Sequence, residues 1–103
     1  MLTSVQLSTT PTLIVQGTST SNVAITCMQA CNVSAGTITI NVYAVPSGMN
    51  PDTTTLIYNQ IAITASDTFI IDTERMVLGN GDAIYASAAY AATINFTTSS
   101  VGI

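Results

Sequence analysis

The sequence predicts an all-β protein, a single β-sandwich or jelly-roll domain of about eight antiparallel strands. Three observations carry that expectation. Apolar and polar residues alternate with a period of two, so that Ile38, Ile40, Val42 and Ala44 share one face of an extended strand while Thr37, Thr39, Asn41 and Tyr43 share the other. Turn formers punctuate the chain at intervals of roughly 8 to 12 residues, the spacing of sandwich folds. The length, 103 residues, is enough for one hydrophobic core and too short for two.

Taken in order, residues 1–12 read as an N-terminal strand or an extended arm, with Val5 and Leu7 alternating against Ser4, Gln6 and Ser8 and with Pro11 closing the run. Such an arm is able to pair with a sheet in another chain. Residues 13–103 form the sandwich. Leu13 to Val15 is a short apolar strand that ends at Gly17 and a polar loop. Asn22 to Pro46 reads as a hairpin, two β-rich runs around the break Asn32-Val33-Ser34-Ala35-Gly36. In its first run Val23, Ile25, Cys27, Gln29, Cys31 and Val33 fall on one face, opposite Ala24, Thr26, Met28, Ala30 and Asn32. Pro46 to Asp52 is a surface loop. Thr53 to Thr64 is a strand whose alternation slips at Asn59-Gln60, which predicts a bulge or a bend. Ser66-Asp67 is a turn, Thr68 to Asp72 a strand, and Met76 to Leu78 a brief apolar continuation before Gly79-Asn80-Gly81-Asp82 reverses the chain. Ala83 to Tyr90 and Ala92 to Val101 form the last pair, expected as a hairpin. The Ala-rich composition of Ala83 to Ala92 tolerates helix, but its place between a glycine turn and a β-branched run favours strand.

Composition narrows the function. Charged residues are 6% of the chain against roughly 25% in an ordinary soluble domain. No apolar run approaches the ~18 residues of a membrane-spanning helix, so no membrane is expected as a partner. Arg75 is the single basic residue against five acids, which leaves a net charge of −4 and no basic patch for a phosphate backbone, so nucleic acid is not expected either. A surface polar through Thr, Ser and Asn rather than charge puts little repulsion between copies, so an oligomer is expected over a monomer. The N-terminus shows no charged n-region and no apolar h-region of a secretory signal, which points to folding in a cytoplasm.

Chemistry-bearing residues are few. Cys27 and Cys31, four residues apart on one strand, have Cα atoms roughly 13 Å apart, beyond the ~7 Å reach of a disulfide. They are expected as free thiols packed as small apolar residues in the core. With no His in the chain, neither thiol nor any Ser has its usual base, and no metal or cofactor is expected. Asp67, Asp72 and Glu74 form an acidic group of the kind that hydrolyses glycosides or holds calcium, but a turn aspartate and a solvated charged connection explain them more simply. Enzyme activity is not expected. Tyr43, Tyr58, Tyr85 and Tyr90 are candidates for stacking on sugars, set against a plainer role as core-edge residues. Asn32-Val33-Ser34 and Asn95-Phe96-Thr97 match the glycosylation sequon.

Two segments carry a resemblance: CNVSAGTITINVYAVPSG, from Cys31 to Gly48, and DTFIIDTERMVLGNGDAIYASAAYAATINFTTSSVGI, from Asp67 to Ile103. Together they are similar to the small virion structural proteins of tailed bacteriophages, whose pattern of an Asn-x-Ser/Thr start, a Val-Tyr-x-Val-Pro-x-Gly close and a Leu-x-x-Gly-Asp-x-Ile-x-Ala-x-Ala strand is matched from Asn32 to Gly48 and from Leu78 to Ala88. The resemblance covers about three quarters of the chain, from near Asn22 onward. It implies a non-enzymatic capsid cement or decoration subunit, assembled in the bacterial host cytoplasm and carried on the virion. The expected partners are other copies of the chain, as a trimer, and the major capsid protein or other virion proteins. The alternative it leaves open is a tail, neck or baseplate component, including a carbohydrate-binding receptor module. Val5, Leu7 and Leu13 are the expected partner-binding residues, because they lie on the segment best placed to add to another chain's sheet.

Overall fold

Nine strands follow one another in a computed structural model that describes residues 2–20, 22–71 and 77–102, and no helix occurs among the described residues. They are β1 (Leu2–Gln6), β2 (Thr12–Gln16), β3 (Val23–Asn32), β4 (Ile38–Val45), β5 (Leu56–Ile63), β6 (Thr68–Ile71), β7 (Val77–Leu78), β8 (Ala83–Ala88) and β9 (Ile94–Gly102). The first sheet has the order β1-β9-β3-β6, with the two-residue β7 also paired to β3, and the second has the order β2-β8-β4-β5. All the strand pairs are antiparallel. This is the jelly-roll arrangement, in which successive strands are dealt alternately to two facing sheets. The expected fold class is therefore the observed one.

Two expected hairpins are not there. β3 pairs with β9, β6 and β7 in the first sheet, while β4 pairs with β5 and β8 in the second, so the link from Asn32 to Thr37 crosses the core. The link from β8 to β9 crosses it likewise. Among the described residues only β4 and β5 are both consecutive in sequence and paired with each other in a sheet. Alternation reveals which face of a strand is buried but carries nothing about which strand lies beside it.

A second correction comes from a bulge. In the β3–β9 ladder Ile25 sits opposite Ser100 and Cys27 opposite Ser99, so Thr26 is an extra residue and the side chains after it change face. Val23 and Ile25 point inward before the bulge, and Met28, Ala30 and Asn32 point inward after it. Cys27 and Cys31 are free, as expected, but half-buried on the outer face and not in the core. The slip foreseen at Asn59-Gln60 is a bulge too: between the pairs Ile40–Ile61 and Val42–Tyr58, β5 spends two residues against Asn41 alone. Gln60 takes φ +52° there, and its amide donates to Asn41 Oδ1 at 2.7 Å.

The core lies between the sheets. Ile25, Met28, Ala30, Ile94 and Phe96 come from the first, and Ile14, Ile40, Val42, Ile84 and Ala86 from the second. Ala30 stands directly opposite Phe96, a small residue beside the largest fully buried side chain. Full burial of an aromatic or aliphatic side chain of this size contributes ~1.5–3 kcal/mol. One side of the sandwich is closed by Tyr58 of β5 and Phe69 of β6, edge to face with ring centroids 6.3 Å apart.

At the other side the chain passes from β1 to β2. The Leu7 amide donates to Ile94 O in the first sheet at 2.9 Å, and the Ala88 amide of the second sheet donates to Ser8 O, also at 2.9 Å. The N-terminal segment from Leu2 onward is thus part of the sandwich and not a free arm: β1 pairs with β9 of its own chain along Leu2 to Gln6.

One end is pinned by Gly17, whose amide donates to Asp82 O and whose carbonyl accepts from Gly81 N. A Cβ at Gly17 would meet the backbone oxygens of Gly79 and Leu78 far inside contact distance, so only glycine fits.

Candidate functional site

The residues singled out in the sequence do not assemble into one site. Of the three expected partner-binding residues, Leu7 is 1% exposed and spent on the protein's own core, Val5 packs partly against it, and Leu13 is open to solvent. Asp67 is an exposed turn residue that accepts from the Thr68 amide at 2.8 Å. Asp72 and Glu74 lie outside the described residues. No three metal-ligating side chains converge among the described residues.

The four tyrosines separate. Tyr58 is engaged with Phe69, while Tyr43 and Tyr85 stand directly opposite each other on the outer face of the second sheet. Leu13 beyond Tyr85 and Leu56 beyond Tyr43 extend the pair into a row across all four strands. Tyr90 alone is open, 66% exposed in the link after β8.

A different set of side chains does converge. On the outer face of the second sheet Thr39 and Asn41 of β4 lie beside Ser87 of β8, and with Thr9, Gln60, Ala88 and Ala89 they line a pocket of about 260 Å³. Its position follows from the two strands that should flank it. β5 bulges at Gln60, and β2 begins only at Thr12, leaving the connection from Ser8 to Pro11 to arch over the other side. The β8–β4 floor is therefore left uncovered at the row where Asn41 faces Ser87. No charged side chain lines the pocket among the described residues.

Its hydrogen bonding is open. Ser87 is only 6% exposed, yet its hydroxyl has no hydrogen-bond partner among the described residues. Asn41 uses its oxygen on the Gln60 amide and leaves its nitrogen for a further acceptor. The side chains of Thr9, Thr39 and Gln60 have no partner among the described residues either.

A second hollow of about 240 Å³ lies at the Gly17 end, among Ala44, Val45, Pro46, Val77, Leu78, Asp82 and Ala83. Its one ionisable group is already used, because the Asp82 carboxylate accepts from the amides of Ser47 at 2.9 Å and Gly79 at 3.0 Å.

Sequence reasoning missed the pocket, although the slip of alternation at Asn59-Gln60 was the visible sign of the bulge that opens it. The sequon at Asn32 also resolves into a structural role, since Asn32 is fully buried and its amide nitrogen is bonded to the carbonyls of Gly36 and Ile63. Comparison with protein-family models, with curated proteins and with solved structures finds no match to this chain.

Proposed function

We propose that the protein is a non-enzymatic structural subunit of a bacteriophage particle, a cement or decoration protein that associates with copies of itself, as a trimer, and with the major capsid protein. One observation supports this reading above the rest. Asp52, Asp67 and Asp82, the charged residues among those described, all sit in loops and turns, so no described residue puts a charge on either outer sheet face. Faces of Thr, Ser, Asn and Gln with scattered apolar residues pack against a neighbour with no ionic desolvation cost. The edge strand β1 also lacks the Lys and Pro that commonly block pairing, and its end carries the exposed Leu2. The jelly roll itself hosts viral shell proteins and lectins alike, which is an argument by analogy only.

Attachment through apolar burial and backbone hydrogen bonds is expected to survive ~1 M salt, where the screening length is only about 3 Å. Sedimentation of the full chain with and without particles, at low and high salt, tests this. Salt-resistant co-sedimentation and a trimer in solution are expected; a stable monomer that never sediments with particles overturns the reading. A second reading, a carbohydrate-binding component of the tail, is favoured by the open polar pocket beside Ser87.

A further inference from the structure

We propose that the pocket around Ser87 is a binding site for a single neutral sugar ring. This does not rest on where the protein attaches. A decoration subunit and a tail component would present the same pocket, so the sedimentation result and the sugar result can fail independently.

The chemistry of the lining selects the ligand class. Thr9, Thr39, Ser87, Gln60 and the Asn41 nitrogen offer hydroxyl and amide groups in one place, with no charged side chain among them. An anion or cation would enter without a counter-charge, and an apolar ligand would strand these groups without water. A ring of hydroxyls meets them as the displaced water did, each hydroxyl able both to donate and to accept.

Size points the same way. At about 260 Å³ the pocket falls just short of the ~300–1,000 Å³ that hold drug-sized ligands, which suits one ring and not a chain of them.

Two further features lie at the pocket or next to it in the chain. The non-glycine Gln60 is held at φ +52° by the bulge and by the Asn41 side chain, and sparsely populated backbone of this kind concentrates at ligand sites. Tyr90, the open tyrosine of the four, is the next residue in the chain after Ala89 and lies outside the lining itself.

Ser87 is the most informative residue. Several polar side chains elsewhere bond one another, Ser8 with Thr10 and Thr12, Asn32 with Ser34, Asp52 with Thr54, whereas the Ser87 hydroxyl bonds to no described residue. A hydroxyl on a residue this deeply buried, with no partner and facing a cavity, is a donor and acceptor held ready for something that enters.

The test is an amide-resolved NMR titration of the isotope-labelled full chain with glucose, galactose and N-acetylglucosamine, each to ~20 mM, with sialic acid as a charged control. At least one neutral sugar is expected to shift the amides of Asn41, Gln60, Ser87 and Ala89 saturably, with a dissociation constant of about 1 mM, and sialic acid is not. Ser87→Val, which removes the hydroxyl and fills its space, is expected to weaken binding about tenfold or more. Gln60→Gly is expected to do the same while relaxing the left-handed backbone, so it keeps the test alive should the valine variant fail to fold. No saturable shift at those amides with any of the three sugars overturns the proposal. So does undiminished affinity in a folded variant, or a response confined to acetamide, which would mark the pocket as a peptide-amide site instead.

Discussion

The Asn32 corner and the Ser87 pocket are built from the same kinds of residue and reach opposite ends. Both lie where a strand gives up its regular neighbour, and both bury uncharged polar side chains. At the corner every valence is used. Asn32 Nδ2 donates to Gly36 O at 2.9 Å and Ile63 O at 2.8 Å, while its Oδ1 accepts from the Ser34 amide at 2.9 Å and the Ser34 hydroxyl at 2.7 Å. The bond to Ile63 O ties the end of β3 in the first sheet to the end of β5 in the second, and the other three hold the link that follows β3, so a fully satisfied amide works as a rivet between layers. At the pocket the valences face an opening and stay free. What distinguishes a structural polar cluster from a receptive one is thus the accounting of donors and acceptors and not composition.

The strongest way to break that contrast is Asn32→Ala. It strands the buried Ile63 carbonyl and removes the bonds to Gly36 O and the Ser34 amide, and is expected to cost about 2–4 kcal/mol in chemical denaturation. A cost below ~1 kcal/mol would show that the corner holds nothing together. Paired serine truncations sharpen the comparison. Ser34→Ala removes a hydroxyl whose single proton is shared between Asn32 Oδ1 and Gly36 O and is expected to cost ~1–2 kcal/mol, whereas Ser87→Ala removes a hydroxyl with no partner and is expected to stay within ~0.5 kcal/mol of wild type. Equal costs at the two serines would erase the distinction.

Thr98 is a third case, buried with neither partner nor opening. Its Oγ1 is a buried side-chain atom with no hydrogen bond, on an inward-facing residue opposite Met28. Thr98→Val is expected to raise stability by ~1 kcal/mol, read as a higher denaturation midpoint at unchanged slope.

The smallest effect concerns Asp52 in the exposed loop. Hydrogen bonds from the Thr54 hydroxyl, then from the Thr54 amide, hold its carboxyl below the ordinary 3.8. Because the folded value is the lower one, the stabilisation is present above the unfolded value and is lost as pH falls through the folded one. Thr54→Val is expected to raise the Asp52 midpoint towards 3.8 in an NMR titration and to leave the pocket amides unmoved.

How much of this was legible in the sequence depends on whether the information is local. The alternation of Ile38 to Ala44 and of Ile94 to Thr97 correctly assigned inward and outward faces, because burial writes itself into every second residue. The turn at Gly79 to Asp82 and the slip at Asn59-Gln60 were readable for the same reason. Pairing was not: β3 and β4 look like a hairpin because a five-residue polar break looks the same whether it reverses within a sheet or steps across the core. The core role of the cysteines was also misread, since the extra residue at Thr26 leaves no mark in a run where Thr, Cys, Met and Gln are all tolerable on either face. The pocket needed both the pairing and the bulge, so its lining could not be collected from the sequence even though its opening was foreshadowed.

The strand order also sets a timetable. β9 lies between β1 and β3, and β8 lies between β2 and β4, so both sheets take a central strand from about the last fifth of the chain. Leu2 finds its partner in Ser99. A ribosome adding ~5–20 residues per second therefore spends roughly 5–20 s exposing strands that have no centre to join. The sheets can close only once β8 and β9 have emerged, and closure then runs on the millisecond-to-second scale of non-local β topologies. During that interval β-rich segments with almost no charge to keep them apart are open to one another, within a chain and between neighbouring nascent chains. The cell that makes this protein must bridge that window, by spacing its synthesis or by shielding the strands, before any copy reaches its folded form.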